Sequence, residues 1–155
     1  MMPFCRNHLR GVRPNPDPMH FEVRPATPAD LEAVERFDEF GGNRQQEIAA
    51  GTCLVACNAE VIVGYASYDP RGLLGQPLLG YLCVRPQFRR QGVATALVKK
   101  VQSVAKGRKL ISSTEDWCVG TQRIFERLGW SRIGQISEVN KDGSTEWFYA
   151  ITIGA

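Results

Sequence analysis

The sequence predicts a mixed α/β (α+β) domain, built on a mainly antiparallel sheet of about seven strands with about four helices. Two helical patterns in the C-terminal half each lie between two strand patterns, which predicts two strand–helix–strand crossovers. Closely spaced strand patterns before and after them predict antiparallel hairpins. The 155 residues suit one domain, and their 43% hydrophobic content is enough for a core.

The N-terminal end differs in composition from the rest of the chain. Prolines at every second position from 14 to 18 disfavour both helices and strand ladders. We therefore expect a flexible tail over residues 1–19 and a single domain over residues 20–155.

The N-terminal half of the domain predicts two helices among strands. Residues 21–24 alternate in polarity, as a strand does, and Thr27 followed by Pro28 is typical of a helix start. Glycines 41 and 42 end this helix. The next elements are a short second helix and a hairpin, at residues 44–50, 53–57 and 61–68.

The C-terminal half predicts the two crossovers. A turn is expected at residues 69–72, and the nearly continuous apolar run at 78–84 predicts a central strand that is covered on both faces. Residues 90–105 place apolar side chains three and four positions apart, which predicts an amphipathic helix. The remaining elements are a short strand, a second amphipathic helix and a final hairpin, at residues 109–113, 117–128, 131–139 and 145–153.

Bulk properties argue against several classes of protein. No run of about 18 apolar residues exists, so we expect no membrane-spanning helix. Eight basic residues and no acid lie between Arg85 and Lys109, but net charge is only +3 and Phe88 is the one aromatic residue there, so nucleic acid is not an expected partner. Five irregularly spaced cysteines predict reduced thiols in a cytoplasmic protein, without a metal site.

A short basic loop, Arg89-Arg90-Gln91-Gly92-Val93-Ala94, joins the apolar strand to the amphipathic helix. The first N–H groups of a helix have no intrahelical acceptor, and the helix dipole adds about half a positive charge there. Gly92 and Ala94 leave the approach open for a phosphate. The segment therefore predicts an anion site.

This loop, its place between a buried strand and a long helix, and the later Arg123-Ile124-Phe125-Glu126-Arg127-Leu128-Gly129-Trp130 together resemble the GCN5-related N-acetyltransferase (GNAT) superfamily over about residues 20–153. The resemblance implies splayed parallel central strands, acetyl-CoA as co-substrate, no metal, and N-acetyltransferase activity. It implies that the backbone N–H of Val84 polarises the thioester carbonyl. The residues that it places against CoA are Leu82, Cys83, Val84, Arg89, Arg90, Gln91, Gly92, Val93, Ala94, Thr95, Cys118 and Phe125.

The sequence departs from the family at two reacting positions. Phe125 stands where many members carry a tyrosine that protonates the leaving thiolate, and Ser113 where a general-base glutamate is frequent. Glu115 is a candidate base, and Tyr81 and Tyr149 are candidate acids, although a helix-capping role for Glu115 and core roles for both tyrosines are alternatives. A third alternative needs no side chain, because a desolvated neutral amine can attack unaided.

The acceptor is less constrained. The family uses its first helices as one wall of the acceptor site, so Asp38, Glu39 and Glu47 are expected to bind a small cationic amine such as an amino acid derivative, a polyamine or an aminoglycoside-like compound. A solvated acidic helix face is the alternative. Two other functions stay open: a catalytically weak or inactive acyl-CoA-binding sensor or interaction protein, and a protein N-terminal or lysine acetyltransferase. The last hairpin is a candidate homodimer edge.

Overall fold

The computed structural model describes residues 21–154 and confirms the predicted fold class. One seven-stranded sheet has the strand order β1-β2-β3-β4-β5-β7-β6. Neighbouring strands are antiparallel except β4 and β5, which are parallel. The strands are β1 (Glu22–Pro25), β2 (Cys53–Asn58), β3 (Val61–Leu73), β4 (Gln76–Val84), β5 (Lys109–Glu115), β6 (Ser131–Ile136) and β7 (Glu146–Thr152). The helices are α1 (Leu31–Glu35), α2 (Arg44–Ala50), α3 (Val93–Val104) and α4 (Val119–Arg127).

Two apolar clusters cover the two faces of the sheet. The larger one packs α3 and α4 against the sheet through side chains that include Val93, Leu97 and Phe125. The smaller one packs α1 and α2 against the other face around Val34, Ile48 and neighbouring strand residues. The sheet is therefore covered on both faces, as expected for a central strand that is apolar almost throughout.

The chain enters α1 through a buried carboxylate. Asp30 lies in the 3₁₀ turn (Pro28–Asp30) that precedes α1 and accepts a 2.7 Å hydrogen bond from the backbone N–H of Thr27, as in a capping box. Arg24 on β1 donates to both oxygens of the same carboxylate, at 2.7 and 3.0 Å. The hydrogen bonds from Arg24 lower the pKa of Asp30 to about 2, against the opposing effect of burial.

The predicted turn at residues 69–72 is wrong, because β3 continues to Leu73. The reversal occurs instead at Leu74 and Gly75, whose φ values of 52° and 75° are both positive, as a tight hairpin turn requires. The strand tolerates Pro70 because its pairing with β4 is irregular between Asp69 and Leu73.

The parallel pair β4–β5 is short, and the two strands separate beyond it. Only Leu78↔Ile111 and Leu79↔Ser112 are in register, and the hydroxyl of Ser112 donates a 2.8 Å hydrogen bond to the Leu79 carbonyl at the last paired position. On the other side of β4 the register with β3 shifts at Gly80, which is the mark of a β-bulge. The split between β4 and β5 therefore begins where β4 is bulged.

The cysteines agree only in part with the expectation that all of them are reduced thiols. Cys53, Cys57 and Cys83 are buried free thiols, and burial raises the pKa of Cys53 to about 12 and that of Cys83 to about 11. Cys118 is disulfide-bonded, so the expectation is wrong for this residue. The predicted tail and Cys5 lie outside the described residues.

Between residues 21 and 154, no helix is long and apolar enough to cross a membrane. Within the same range, no group of three or more histidine, cysteine or acidic side chains has the arrangement of a metal site.

Candidate active site

The basic loop has the geometry of an anion site. Gly92 is the N-cap of α3 with a left-handed φ of 88°, and Arg90 is also left-handed at 62°. The first α3 hydrogen bond runs from the N–H of Ala96 to the Gly92 carbonyl, at 3.0 Å, so the N–H groups before it have no acceptor within the helix. A Cβ on Gly92 would meet no atom within 4 Å, so the space in front of these donors is open. The loop can therefore hold a phosphate group.

Arg89 connects this loop to the opposite face of the sheet. Its Nε donates to the carbonyl of Val84 at 3.1 Å, and its Nη2 lies 3.2 Å from Oε1 of Glu39, in the segment that joins α1 and α2. Arg90 and Gln91 are exposed. The anion loop thus carries one arginine that is held against the end of β4 and one that is open to solvent.

The end of β4 lies beside this loop, on one side of the split. Leu82, Cys83 and Val84 have buried side chains, and their residues pair with β3. On the β5 side, the described register stops at Leu79. An extended ligand amide could therefore pair with this edge of β4, because its backbone groups there need partners.

Two of the predicted CoA contacts, Phe125 on α4 and Cys118 just before it, lie in the core. Phe125 is fully buried and packs against Trp130 and Tyr149, with ring centroids 4.6 and 5.2 Å apart. Cys118, the residue before α4, is buried with its sulfur 3.4 Å from the hydroxyl of Thr121. Tyr149 is nearly buried, and burial followed by the charge of a neighbouring glutamate raises its pKa. A phenol thus lies directly beside Phe125.

Glu115 is the last residue of β5 and lies within the strand, two positions after Ser113. It is only 4% exposed, and its Oε2 has no hydrogen-bond partner. Its neighbour across the β5–β7 register is Glu146, which is 5% exposed and has an unpartnered Oε1. Burial, and then the negative charge of Glu146, raises the pKa of Glu115. The structure thus pairs the candidate base with a second buried carboxylate.

The carboxylates predicted for the acceptor wall have basic partners. Arg44 is almost fully buried and binds Asp38 at 3.1 Å and Glu47 at 2.5 Å. The hydroxyl of Tyr65 donates to the other oxygen of Asp38 at 2.5 Å, which together with burial raises the pKa of Tyr65. The single positive charge of Arg44 therefore offsets one of the two negative charges of Asp38 and Glu47 within the network itself.

Tyr81 lies on the α1/α2 face of β4, under this network. The Arg44 guanidinium is 4.1 Å from the centre of its ring, and Phe40 stacks on it with centroids 6.0 Å apart. Next to the network, a cavity of about 390 Å³ separates the end of α1 from the β4–α3 loop. Its lining residues are Arg36, Phe37, Asp38, Glu39, Arg85, Pro86 and Gln87.

Three features of the site were not predicted from the sequence. Glu146 carries no local signal, because only the β5–β7 register brings it to Glu115. Arg44 lies among acidic residues in the sequence, and no local pattern there predicts that it is buried. The contact between Arg89 and Glu39 joins two segments that are far apart in sequence.

A basic anion loop beside split parallel strands is the arrangement of an acyltransferase, and comparison with known proteins specifies the class. The chain belongs to the acetyltransferase (GNAT) family, whose sequence model matches residues 17–130. It is accordingly an N-acetyltransferase. No curated protein sequence matches the chain.

Solved structures with this fold span diverse acetyltransferases. A GNAT-family acetyltransferase from Bacillus cereus is 24% identical, with a TM-score of 0.79 over 88% of this chain and 99% of its own. Ard1 from Thermoplasma volcanium is 17% identical, with a TM-score of 0.74 over 87% of this chain and 99% of its own. The yncA protein from Salmonella typhimurium, solved with acetyl-CoA, is 17% identical, with a TM-score of 0.72 over 88% of this chain and 95% of its own.

Proposed function

We propose that the protein transfers the acetyl group of acetyl-CoA to the primary amine of a small cationic acceptor, by direct attack in a ternary complex. The observation that carries this proposal is the open N-terminus of α3 beside the split between β4 and β5. The structural neighbour yncA was solved with acetyl-CoA, which supports the same donor here. The donor supplies an activated thioester, so the protein has to bind it, place the amine and manage protons.

The anion loop and the edge of β4 bind different parts of acetyl-CoA. The loop from Arg89 to Thr95 offers helix N–H groups and arginines to the pyrophosphate, which needs several convergent donors. The Leu82 backbone, which faces away from β3, is offered to a pantetheine amide, whereas Cys83 faces β3 as Arg85 does, whose N–H donates to the Val63 carbonyl at 2.8 Å. The Val84 N–H stabilises the negative charge that develops on the thioester oxygen.

Proton transfer requires a base that deprotonates the amine and an acid that protonates the leaving thiolate. Glu115 is the proposed base, because it is a carboxylate with an unpartnered oxygen at the end of β5 and its raised pKa makes it a stronger base than an ordinary glutamate. Tyr149 is the first candidate to protonate the thiolate, since its ring lies beside Phe125 in the position next to the usual tyrosine. Tyr81 is the second, on the opposite face of the sheet.

A small acceptor and a peptide both remain compatible with the fold. Structural neighbours include a NatC complex bound to a Gag peptide and nourseothricin acetyltransferase. For a cationic small molecule, Glu39 is the most accessible of the proposed wall carboxylates, because its side chain is 42% exposed. Asp38 and Glu47 contribute mainly through their network with Arg44.

Phe125 and Ser113 favour one alternative, a catalytically weak or inactive acyl-CoA-binding protein. Neither side chain can exchange a proton as the usual tyrosine and glutamate do. Release of the CoA thiol across a panel of primary amines separates the two: turnover with any amine supports the transferase, and tight acetyl-CoA binding without turnover supports the alternative.

The donor site is tested by calorimetry with acetyl-CoA on Gly92→Glu. A carboxylate there faces the helix N–H groups, and we expect binding to weaken by about 100-fold or more, equivalent to about 3 kcal/mol. Gly75→Glu is the matched control, because Gly75 also has a left-handed φ of 75° and open surroundings but lies at the β3–β4 turn. Equal affinities of the two variants would refute the assignment of the loop.

A further inference from the structure

We propose that Glu115 and Glu146 together form the binding site for the ammonium group of the acceptor. The inference rests on the proposed function and deepens it: it names the side chains that recognise the acceptor and assigns Glu146 a role. Glu115 is the last residue of β5 and Glu146 is the first residue of its neighbour β7, and the two are directly opposite each other. Each carboxylate has an oxygen without a hydrogen-bond partner.

Register places the pair on the face of the sheet used by the acceptor wall. Ser112 and Thr114 share the face of their partners Tyr149 and Trp147, which pack with Phe125 on the α3/α4 side. Alternation along β5 therefore puts Glu115, and Glu146 opposite it, on the α1/α2 side. Side chains directly opposite in such a pair have Cβ atoms about 5 Å apart.

The pair also lies beside the open part of the split. Glu115 comes three positions after Ser112, the last β5 residue in register with β4. At about 3.3 Å per residue, it is about 10 Å along β5 from the point of separation. On the other arm, Leu82 is also three positions past the last paired residue, Leu79, and Val84, proposed for the thioester, is five positions past it, about 16 Å along β4. A ligand held by Glu115 can therefore approach the β4 edge.

The charge balance of the pair favours a cation. Elsewhere in the described chain, the buried acids have guanidinium partners: Asp30 has Arg24, and Asp38 has Arg44. None of the ion pairs within residues 21–154 reaches Glu115 or Glu146; the latter has one hydrogen bond, from the Asn140 side chain at 2.8 Å. Buried like charges are costly, so a bound cation would stabilise the site.

An alkylammonium fits this pair better than a metal ion does. Two carboxylates are fewer ligands than Ca²⁺ requires, and no third acidic, histidine or cysteine side chain of the described chain completes a metal site. An ammonium group has three N–H donors, which match the two unpartnered oxygens and leave one donor for water or backbone. The sequence neighbours Ser113 and Asp116 are half-buried, so the buried pair lies next to partly exposed positions.

The same contact supplies the nucleophile. One ammonium proton passes to the Glu115 carboxylate, which leaves a neutral amine with a free electron pair. The nitrogen forms a bond to the thioester carbon, the carbon–sulfur bond breaks, and the sulfur leaves with its electron pair. Tyr149, the proposed acid, gives a proton to the sulfur and is reprotonated by the second proton that the nitrogen loses, so the products are the amide and the free thiol, and Glu115 returns its proton to solvent.

The test follows the side-chain carboxyl carbons of Glu115 and Glu146 by ¹³C NMR while n-butylammonium chloride is added to the wild-type protein without acetyl-CoA. We expect both resonances to move together and saturate. Equal concentrations of n-butanol and of tetramethylammonium, which lack the charge or the N–H donors, should leave them nearly unchanged. Absence of a saturable shift, or equal shifts with n-butanol, would overturn the proposal.

Variants sharpen the measurement. Glu146→Gln should weaken n-butylammonium binding, read on the Glu115 resonance, by about 10-fold or more, because one buried charged partner is lost. The control Glu32→Gln removes a carboxylate whose side chain is 80% exposed and should change nothing. Unaltered binding in Glu146→Gln contradicts the pair. If that variant does not fold, the joint shift of two resonances in the wild type decides.

Calorimetry with acetyl-CoA on the same samples separates this proposal from the proposed function. Ammonium binding without acetyl-CoA binding supports the pair and refutes the donor assignment. Acetyl transfer to amines without any ammonium-induced shift supports the transferase and refutes the pair.

Discussion

Replacing Asp30 with asparagine is expected to lower the free energy of unfolding by about 1–2 kcal/mol at pH 7. The folded protein lowers the pKa of Asp30 from 3.8 to about 2, chiefly through its hydrogen bonds with Arg24. Each pKa unit corresponds to about 1.4 kcal/mol, which gives about 2.4 kcal/mol before solvent screening is considered. Because the Arg24 side chain is 36% exposed, we reduce this figure to about 1–2 kcal/mol.

The pH dependence gives this prediction its direction. A carboxylate whose pKa is lowered by folding stabilises the protein above its unfolded pKa and loses that contribution as pH falls through the folded pKa. The difference between wild type and Asp30→Asn should therefore be constant above about pH 5 and shrink between about pH 4 and pH 2.

Urea unfolding followed by circular dichroism from pH 7 to pH 2 measures the difference directly, and at neutral pH the thermal midpoint should fall by about 5 °C. The matched control is Glu32→Gln, whose ion pair with Arg36 has side chains 80% and 68% exposed and is worth about 0.5 kcal/mol or less. The reasoning fails if both variants lose the same stability at pH 7, or if the Asp30→Asn deficit persists unchanged at pH 2.

Two further predictions concern the acceptor side. Arg44→Met should lower the free energy of unfolding by about 3–5 kcal/mol, because it leaves two carboxylates without their buried cation, whereas the exposed Arg36→Met should cost under about 1 kcal/mol; thermal unfolding of both variants decides. The rate of thiol release should rise with pH through an apparent pKa above the ordinary glutamate range, because Glu115 must be deprotonated to act. Burial and the negative charges of Glu146 and Asp142 raise the pKa of Glu115. Glu115→Gln should remove this limb and slow the reaction about 100-fold or more; an unchanged pH profile in that variant would exclude Glu115 as the base.

Elements with strong local signals were predicted well. The apolar spacing of α3 and the glycine before it place the anion loop correctly, since a helix start depends on residues close in sequence. The predicted start at residue 90 differs from the observed Val93 because Arg90 and Gly92 adopt left-handed conformations in the loop. The glycine pattern indicated a loop but not how many residues it needs.

Elements that depend on distant partners were predicted less well. β5 was expected to end at residue 113, but its pairing with β7 carries it on to Glu115. The first helix was expected to end at glycines 41 and 42, yet α1 ends at Glu35 and the chain turns so that Asp38 reaches both Arg44 and Tyr65. In each case a long-range contact overrides a local pattern, which no short window of sequence contains.

The distribution of buried charge connects the fold to the proposed reaction. On the α3 side of the split, helix N–H groups and Arg89 provide positive potential for an anionic donor. On the α1/α2 side, Arg44 and Arg89 together offset two of the three negative charges of the predicted acidic wall, so this wall offers an acceptor less charge than its composition suggests. Among the buried carboxylates of the described chain, Asp30 is paired with Arg24, whereas Glu115 and Glu146 are in no ion pair. In the proposed arrangement, an amine that binds to this pair lies beside the thioester at the split. The carboxylates that select the positively charged acceptor are therefore at the position where its proton is removed.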